Sequence, residues 1–326
     1  MFNDQLESSI HLSDFWSMKL TCINCSKKLD IFKEDVRRKT IQCKNCMHFY
    51  EINDRIINFG YSDLFYENHG FTTTGRNFSS SILGRLGLYY ARNHFLHRVA
   101  KIFPPGSRLI EVGCGGGSMF LGERYEMLGV EIAHRSAMYA TQAYSSVMQA
   151  SSLRIPVDDN AADGLISSYV LEHLSDEVVL NCLKEMRRTL CSGGLMLHCF
   201  DVDADSAFTR WAKSKSWYDY IFVESKGHTG LRSEKKWRAL FAEANFEVIA
   251  WHSFNKTWLQ DLSIWSYFSD PRVTGWPRVI GGAAGFVRHH LGVVADVLTT
   301  TFQDIVEPWI SDAKGSKAIV ITRRID

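Results

Sequence analysis

Residues Leu109 to Gly117 read Leu-Ile-Glu-Val-Gly-Cys-Gly-Gly-Gly, and no other stretch limits the fold of this 326-residue chain as strongly. Arg108 to Val112 has the short apolar character of a parallel strand buried on both faces. It runs directly into Gly113, Gly115 and Gly117. Glycines just past such a strand permit left-handed backbone and let a ligand lie against main-chain N–H groups, with a helix starting within Ser118 to Glu126. In isolation, the same pattern serves equally well as a tight connection.

The residues that follow narrow the choice. A second apolar strand, Met127 to Ile132, carries Glu131 near its end, 14 positions after Gly117, where a carboxylate can hold two ribose hydroxyls. A phosphate-binding loop needs Gly-Lys-Ser/Thr, and Ser118 has no lysine before it, so a nucleoside triphosphate is disfavoured. Next come Leu153 to Val157 with Pro156, an acidic turn at Asp158-Asp159-Asn160, a strand from Asp163 to Ser168, and Tyr-Val-Leu-Glu-His-Leu at 169–174.

In this order, Glu111-Val-Gly113-Cys-Gly115-Gly-Gly117, Glu131, Ile155 to Asn160, Asp163 and Leu171-Glu172-His173-Leu174 resemble a class I S-adenosylmethionine-dependent methyltransferase of the type 11-like kind, over roughly residues 105–255. The resemblance implies a Rossmann-like, doubly wound α/β fold with a seven-stranded sheet. It places Gly113, Gly115 and Gly117 against the methionine part of S-adenosylmethionine and Glu131 on the ribose. The expected cofactor set is Glu111, Gly113, Gly115, Gly117, Glu131, Ser151, Ser152 and Ser168. Such enzymes usually carry an acidic residue for the adenine amino group where this chain has Ser151; a hydroxyl still accepts a hydrogen bond.

Ahead of this unit, Cys22-Ile-Asn-Cys25 and Cys43-Lys-Asn-Cys46 are two Cys-x-x-Cys knuckles with 17 residues between them. Each supplies two thiolates from one turn, which suits a tetrahedral zinc site; a pair of redox dithiols is the weaker reading, since neither pair opens a helix in a βαβ unit. So short a ribbon needs the metal to fold, so the zinc is expected to be structural. Eight Lys or Arg residues between Lys19 and Cys46 (19, 27, 28, 33, 37, 38, 39 and 44) face only Asp30, Glu34 and Asp35. They could meet RNA or a nucleotide-sugar phosphate, but a solvated hairpin face accounts for them as well.

The expected organisation is a lead and ribbon over 1–59, a linker or lid with a helix over 60–103, the cofactor-binding core over 104–255, and an aromatic helical insertion with the final strand over 256–326. Residues 1–17 carry no pattern and read as a mobile lead or an added strand. Helices are expected over Leu88–Phe103, after Ser175 (stopped by Gly193-Gly194) and over Ser233–Asn245, with strands at Leu195–Phe200, Phe246–Trp251 and Ala318–Thr322. More than sixty residues separate the last two, including Trp258, Trp265, Tyr267, Phe268 and Trp276, then an amphipathic run through Val287, Leu291, Val294, Leu298, Phe302 and Ile305. Substrate specificity, a homodimer contact or peripheral membrane docking is expected of that segment.

Lys plus Arg total 37 against 36 Asp plus Glu, so no overall field draws nucleic acid or an anionic membrane. The opening is broken by Asp4, Glu7 and Asp14, which disfavours a secretory leader. Val279 to Val287 is too short to span a bilayer, and the paired cysteines favour a reducing, cytoplasmic setting. The acceptor is expected to be a small molecule or a glycan or nucleotide-sugar precursor, modified at O or N. The runner-up is an rRNA or tRNA base methyltransferase binding RNA through the ribbon, and the third reading a non-catalytic cofactor-binding scaffold. Methyl transfer from a sulfonium asks the protein mainly to position the acceptor and remove its proton. His173 and His228 are the leading candidates for that base, ahead of His198 and Asp201. Each has a plain structural alternative: loop ordering for His173, a turn residue for His228, a core imidazole for His198 and a cap for Asp201.

Overall fold

The computed structural model describes residues 10–31, 39–70, 91–229, 231–257 and 262–326. Among them runs one ten-stranded sheet: β1 (Thr40–Gln42), β2 (Phe49–Asn53), β3 (Ile56–Asn58), β4 (Arg108–Val112), β5 (Glu126–Glu131), β6 (Ser146–Gln149), β7 (Ala162–Ser168), β8 (Leu190–Asp201), β9 (Phe246–Phe254) and β10 (Lys317–Arg324). The spatial order is β1-β2-β3-β6-β5-β4-β7-β8-β10-β9. β6, β5, β4, β7 and β8 are parallel, and β10 lies antiparallel between β8 and β9. The seven strands from β6 to β9 form the expected doubly wound sheet. Its central members are apolar on both faces: Leu109, Ile110, Val112, Leu128, Val130, Leu165 and Ile166 are buried.

The ribbon is not a separate body. β3 pairs in parallel with β6, Ile57 opposite Met148 and Asn58 opposite Gln149, and Phe59 N–H continues the ladder to the Gln149 carbonyl at 2.9 Å. Trp16, Leu20, Ile41 and Tyr50 share one apolar cluster with Ile110 and Val130 of the central strands. Residues 10–17, read from sequence as a loose lead or an added strand, instead pack beside β6. The fully buried Trp16 indole N–H reaches the Glu126 carbonyl at 3.4 Å, and Ser13 N–H donates to Ser146 Oγ at 2.8 Å.

One expectation on an element end is corrected. The helix Asp176–Thr189 stops before Gly193-Gly194, which sit inside β8 beside a register shift against β7. The Leu190 N–H already bonds the Met186 carbonyl in extended geometry, so no glycine stop is needed. The helix after the glycine turn is only Met119–Gly122, because the chain must return at once to start β5.

The insertion between β9 and β10 carries a helix Leu262–Tyr267 and a 31-residue helix Trp276–Val306. They cross where Gly281 faces the Phe268 backbone; a Cβ there would lie 2.3 Å from the Phe268 carbonyl carbon. Phe208, Trp217, Tyr218, Ile221, Ile264 and Phe268 form a third apolar cluster, which joins the 207–222 helices to the insertion. Leu291, Val294, Leu298, Phe302 and Ile305 of the long helix are exposed. Among the described residues no helix is long and apolar enough to cross a membrane. Trp258 and residues 71–87 of the expected lid lie outside the described residues.

Candidate functional site

Two adjoining cavities lie at the carboxyl ends of β4, β5, β7 and β8, where parallel sheets of this kind accept ligands. The first, about 330 Å³, is lined by Gly113, Glu131, Ala150, Ser152 and Ser168 of the strand ends and turns and by Ser136 of the helix His134–Ala140. Tyr66 and Gly70 close it from the segment before the core. The second, about 240 Å³, is lined among others by Glu172, Asp201, His228, Ile264, Tyr267 and Lys317. Tyr169, His173 and Lys226 line both and form the wall between them.

In the glycine turn, Gly113, Gly115 and Gly117 all adopt positive φ, the conformation glycine permits there, and Gly113 lines the first cavity. A Cβ on Gly113 would stand 2.4 Å from a Val170 methyl, so the turn and the wall leave room only for hydrogen. The buried Glu131 carboxylate accepts from Gly115 N–H (2.8 Å), Ile132 N–H (2.9 Å) and Ala133 N–H (3.0 Å). Burial raises its pKa, and those three amides pull it back. Of about four lone-pair directions on a carboxylate, three are taken and one remains for a ligand's hydroxyl. Ser136 Oγ and Ser168 Oγ are buried in the same cavity without a protein partner, as fits a site that takes a polar ligand.

Other members of the expected cofactor set sit differently. Glu111 is buried in β4 and accepts from the Tyr144 hydroxyl, and Ser151 Oγ accepts from Leu153 N–H at 3.1 Å. Neither these two nor Gly115 and Gly117 belong to the cavity lining, whereas Ser152 and Ser168 do. Gly117 instead lets the turn lie against Ala140 and Ala143.

The second cavity gathers the ionisable groups. Glu172 and His173 occupy a 3-10 turn, Leu171–His173, just past β7; His228 follows Gly227, a left-handed cap. Arg232 ties these loops together, donating from Nε to Asp176 at 2.6 Å and from its terminal nitrogens to the Leu171 and Leu174 carbonyls. The two imidazoles lie 4.8 Å apart between centroids. His228 Nε2 is 3.8 Å from Asp201 Oδ2. Burial, then the neighbouring His228, holds His173 below the usual imidazole pKa, so it is neutral at pH 7. Glu172 is wholly buried, and desolvation together with the Asp201 charge pushes its pKa well above the carboxylate range.

His198 is not part of either cavity. It is completely buried in β8, bonded through Nδ1 to Ser167 Oγ at 2.7 Å and stacked on Phe241, and burial lowers its pKa to about 3. The core-imidazole reading holds, and His198 is not the base. Trp265 packs on Phe208 and Phe268 behind the cavity, while Ile264 and Tyr267 supply the insertion's contribution to the lining. Sequence reasoning placed Tyr66 in the expected linker or lid but gave no site role to Tyr169, Lys226 or Lys317. Only Tyr169 carried a local signal, as the residue between a strand end and the Leu-Glu-His turn. Its φ of +59°, uncommon for a bulky side chain, is set by the fold, with its N–H bonded to the Cys199 carbonyl at 2.7 Å.

The four ribbon cysteines converge. Cys22 and Cys46 sulfurs are 3.5 Å apart, Cys25 and Cys43 sulfurs 3.6 Å, and all four lie within 4.8 Å of one another. A tetrahedron with Zn–S bonds of about 2.3 Å has edges of about 3.8 Å, so the donor set fits zinc. The two knuckles repeat one geometry. Ser26 and Met47, each four residues after the first cysteine, take positive φ and return their N–H to the Cys22 and Cys43 carbonyls at 2.8 Å.

A family model described as a methyltransferase domain matches residues 86–250. No curated protein matches the sequence. Among solved structures, the chain is similar to a geranyl diphosphate C-methyltransferase from Streptomyces coelicolor, in complex with Mg2+, geranyl diphosphate and S-adenosyl-L-homocysteine. That likeness is at 16% identity, covering 72% of this chain and 79% of that one, with a TM-score of 0.46. It is similar also to the YcgJ protein of Bacillus subtilis (14% identity, 72% and 99% coverage, TM-score 0.45). A third likeness is to a Haloferax volcanii complex between the Trm112 methyltransferase activator and a methyltransferase (13% identity, 74% and 92% coverage, TM-score 0.45).

Proposed function

The chain belongs to the class I S-adenosylmethionine-dependent methyltransferases, and from that premise we propose that it methylates an oxygen or nitrogen atom of a small molecule or glycan precursor held in the second cavity. The observation that carries this reading is the shared wall. Tyr169, His173 and Lys226 separate a cavity built on the cofactor motif from one that holds Asp201 and His228. The bound cofactor supplies an activated methyl group. Glu131, Ser152 and Ser168 would bind it, with Gly113 giving the close approach and Tyr66 the cover. Asp201 and His228, with 3.8 Å between Oδ2 and Nε2, would be the pair that takes the acceptor's proton. Ile264, Tyr267, Phe208 and Phe222 keep that cavity apolar on its far side and exclude water. A space of about 240 Å³ suits a small molecule or a terminal group, not a stacked base within a helix.

The test is a cofactor titration followed by isotope transfer from labelled S-adenosylmethionine into a small-molecule extract and, separately, into RNA. Label in the small-molecule fraction alone supports the proposal. Label in RNA would transfer the assignment to the base-methylating reading, and binding without any transfer would leave a scaffold. We assign the four cysteines a structural zinc on the same footing. Elemental analysis of protein purified without chelator should give one zinc per chain from this site, lost in the Cys43→Ser/Cys46→Ser variant. Less than half an equivalent overturns it.

A further inference from the structure

We infer that Glu172, His173 and His228 form a second metal site, for a divalent first-row transition ion, on the wall of the second cavity. One donor atom from each lies within 4.8 Å of the others. Backbone carbonyls hold both rings through Nδ1. His173 Nδ1 meets the Gly227 carbonyl at 3.3 Å and His228 Nδ1 the Phe222 carbonyl at 2.8 Å. A carbonyl only accepts, so each imidazole carries a hydrogen on Nδ1 and Nε2 is the ring nitrogen left for a metal. A backbone carbonyl behind the far ring nitrogen is the usual support of a metal-bound histidine.

The carboxylates make the same demand. Glu172 Oε1 takes a long bond from Asp201 N–H at 3.4 Å, while Glu172 Oε2 is buried with no hydrogen-bond partner. Asp201 Oδ1 is likewise buried and unpartnered, and Asp201 Oδ2 lies 3.8 Å from His228 Nε2. Two buried carboxyl oxygens, Glu172 Oε2 and Asp201 Oδ1, thus go without a hydrogen bond beside the two imidazoles, and a bound cation would satisfy them. Lys317 lends Glu172 some positive field, but its ammonium sits over the Tyr169 ring, 5.5 Å from the centroid, and makes no bond to Oε2.

Two imidazoles and one carboxylate select Mn2+, Fe2+, Co2+ or Zn2+ over Mg2+ and Ca2+, and three protein ligands leave coordination positions open to the cavity. An oxygen-bearing acceptor would complete the shell. With His228 ligating, Asp201 is the member of the proposed pair left to take the acceptor's proton. That last consequence rests on the acceptor assignment above; the ion site does not, and is measured with neither cofactor nor acceptor present.

Mn2+ is the probe, because the four-thiolate site keeps its zinc against a hard ion. Zinc-loaded wild-type protein should bind about one equivalent of Mn2+, followed by loss of the free-ion electron paramagnetic resonance signal. Glu172→Gln and His228→Gln should each weaken that binding ~10-fold or more, the scale of disrupting a metal site, with melting temperature held as the check on folding. Wild-type protein that binds no Mn2+ overturns the site, as does undiminished binding by both variants. The variant-free arm uses Co2+ added to zinc-loaded protein. Ligand-field absorption without thiolate charge-transfer bands supports the site, and thiolate bands, or no bound cobalt, refute it.

Discussion

The two cavities that meet at Tyr169 and His173 are built from different material. The first is made largely of backbone: glycine turns, strand ends, and a carboxylate already held by three main-chain amides. The second is made of side chains brought from β8, β10, the 171–173 turn, the 226–228 loop and the insertion, with Glu172, His173, Asp201, Lys226, His228 and Lys317 crowded under an aromatic roof. A site made of backbone tolerates little change in shape and reads out in binding. One made of side chains tolerates changes of residue and reads out in rate and selectivity.

The sharpest way to break that contrast is at the ionisable cluster. Asp201→Asn should lower kcat by roughly 10²–10⁴, the range for removing a general base, and His228→Gln should lower it as well by removing its partner, while cofactor affinity by titration stays within about threefold in both. A variant that loses cofactor binding while folded would merge the two cavities into one functional unit. On the other side of the wall, Glu131→Ala should weaken cofactor binding by about 1.5–3 kcal/mol, as for hydrogen bonds to a charged group. Calorimetric titration checks it, and unchanged affinity would move the ribose elsewhere.

His198 belongs to neither cavity and serves as the control. Its folded pKa of about 3 lies below the unfolded value of about 6.5. The stability it permits is therefore fully present above about pH 6.5 and is lost as pH falls toward 3, at about 1.4 kcal/mol per unit. Urea unfolding at pH 6.5 and 5 should show a decline of about 2 kcal/mol from this group. The decline should be smaller in His198→Leu, since His11, His173 and His252 are also depressed by burial and keep their share. An identical pH slope in the variant would mean that His198 is not buried as described. The smallest effect is expected at the roof. Tyr267→Ala should raise the acceptor's KM about tenfold, some 1.4 kcal/mol of lost contact, without touching the cofactor; normal KM would make the insertion a packing element only.

The backbone-built cavity was also the one most legible in the sequence. Gly113, Gly115, Gly117 and Glu131 lie within 19 residues and announce a strand, a turn and a second strand by type and spacing alone. The paired cysteines were legible for the same reason. The side-chain cavity was legible only in fragments, because His173, His228 and Lys317 are far apart in the chain and only the β8–β10 pairing and the Arg232 staple bring them together. His198 looked like a base until its depth in β8 was known. The pairing of β3 with β6 left no mark in sequence at all. Three residues, Ile56–Asn58, have no periodicity long enough to declare a partner about ninety positions away.

That pairing reaches beyond the ribbon. A doubly wound sheet that stopped at β6 would present a row of unpaired N–H and C=O groups there, a template for another chain. β3 covers part of that row and hands the open edge to β1, three residues long and too short to template much. If chelation unravels the thiolate knuckles, the first casualty is then the concealment of β6. Metal-starved protein should become sticky, joining edge to edge with its own copies, while its nucleotide-like ligand still binds.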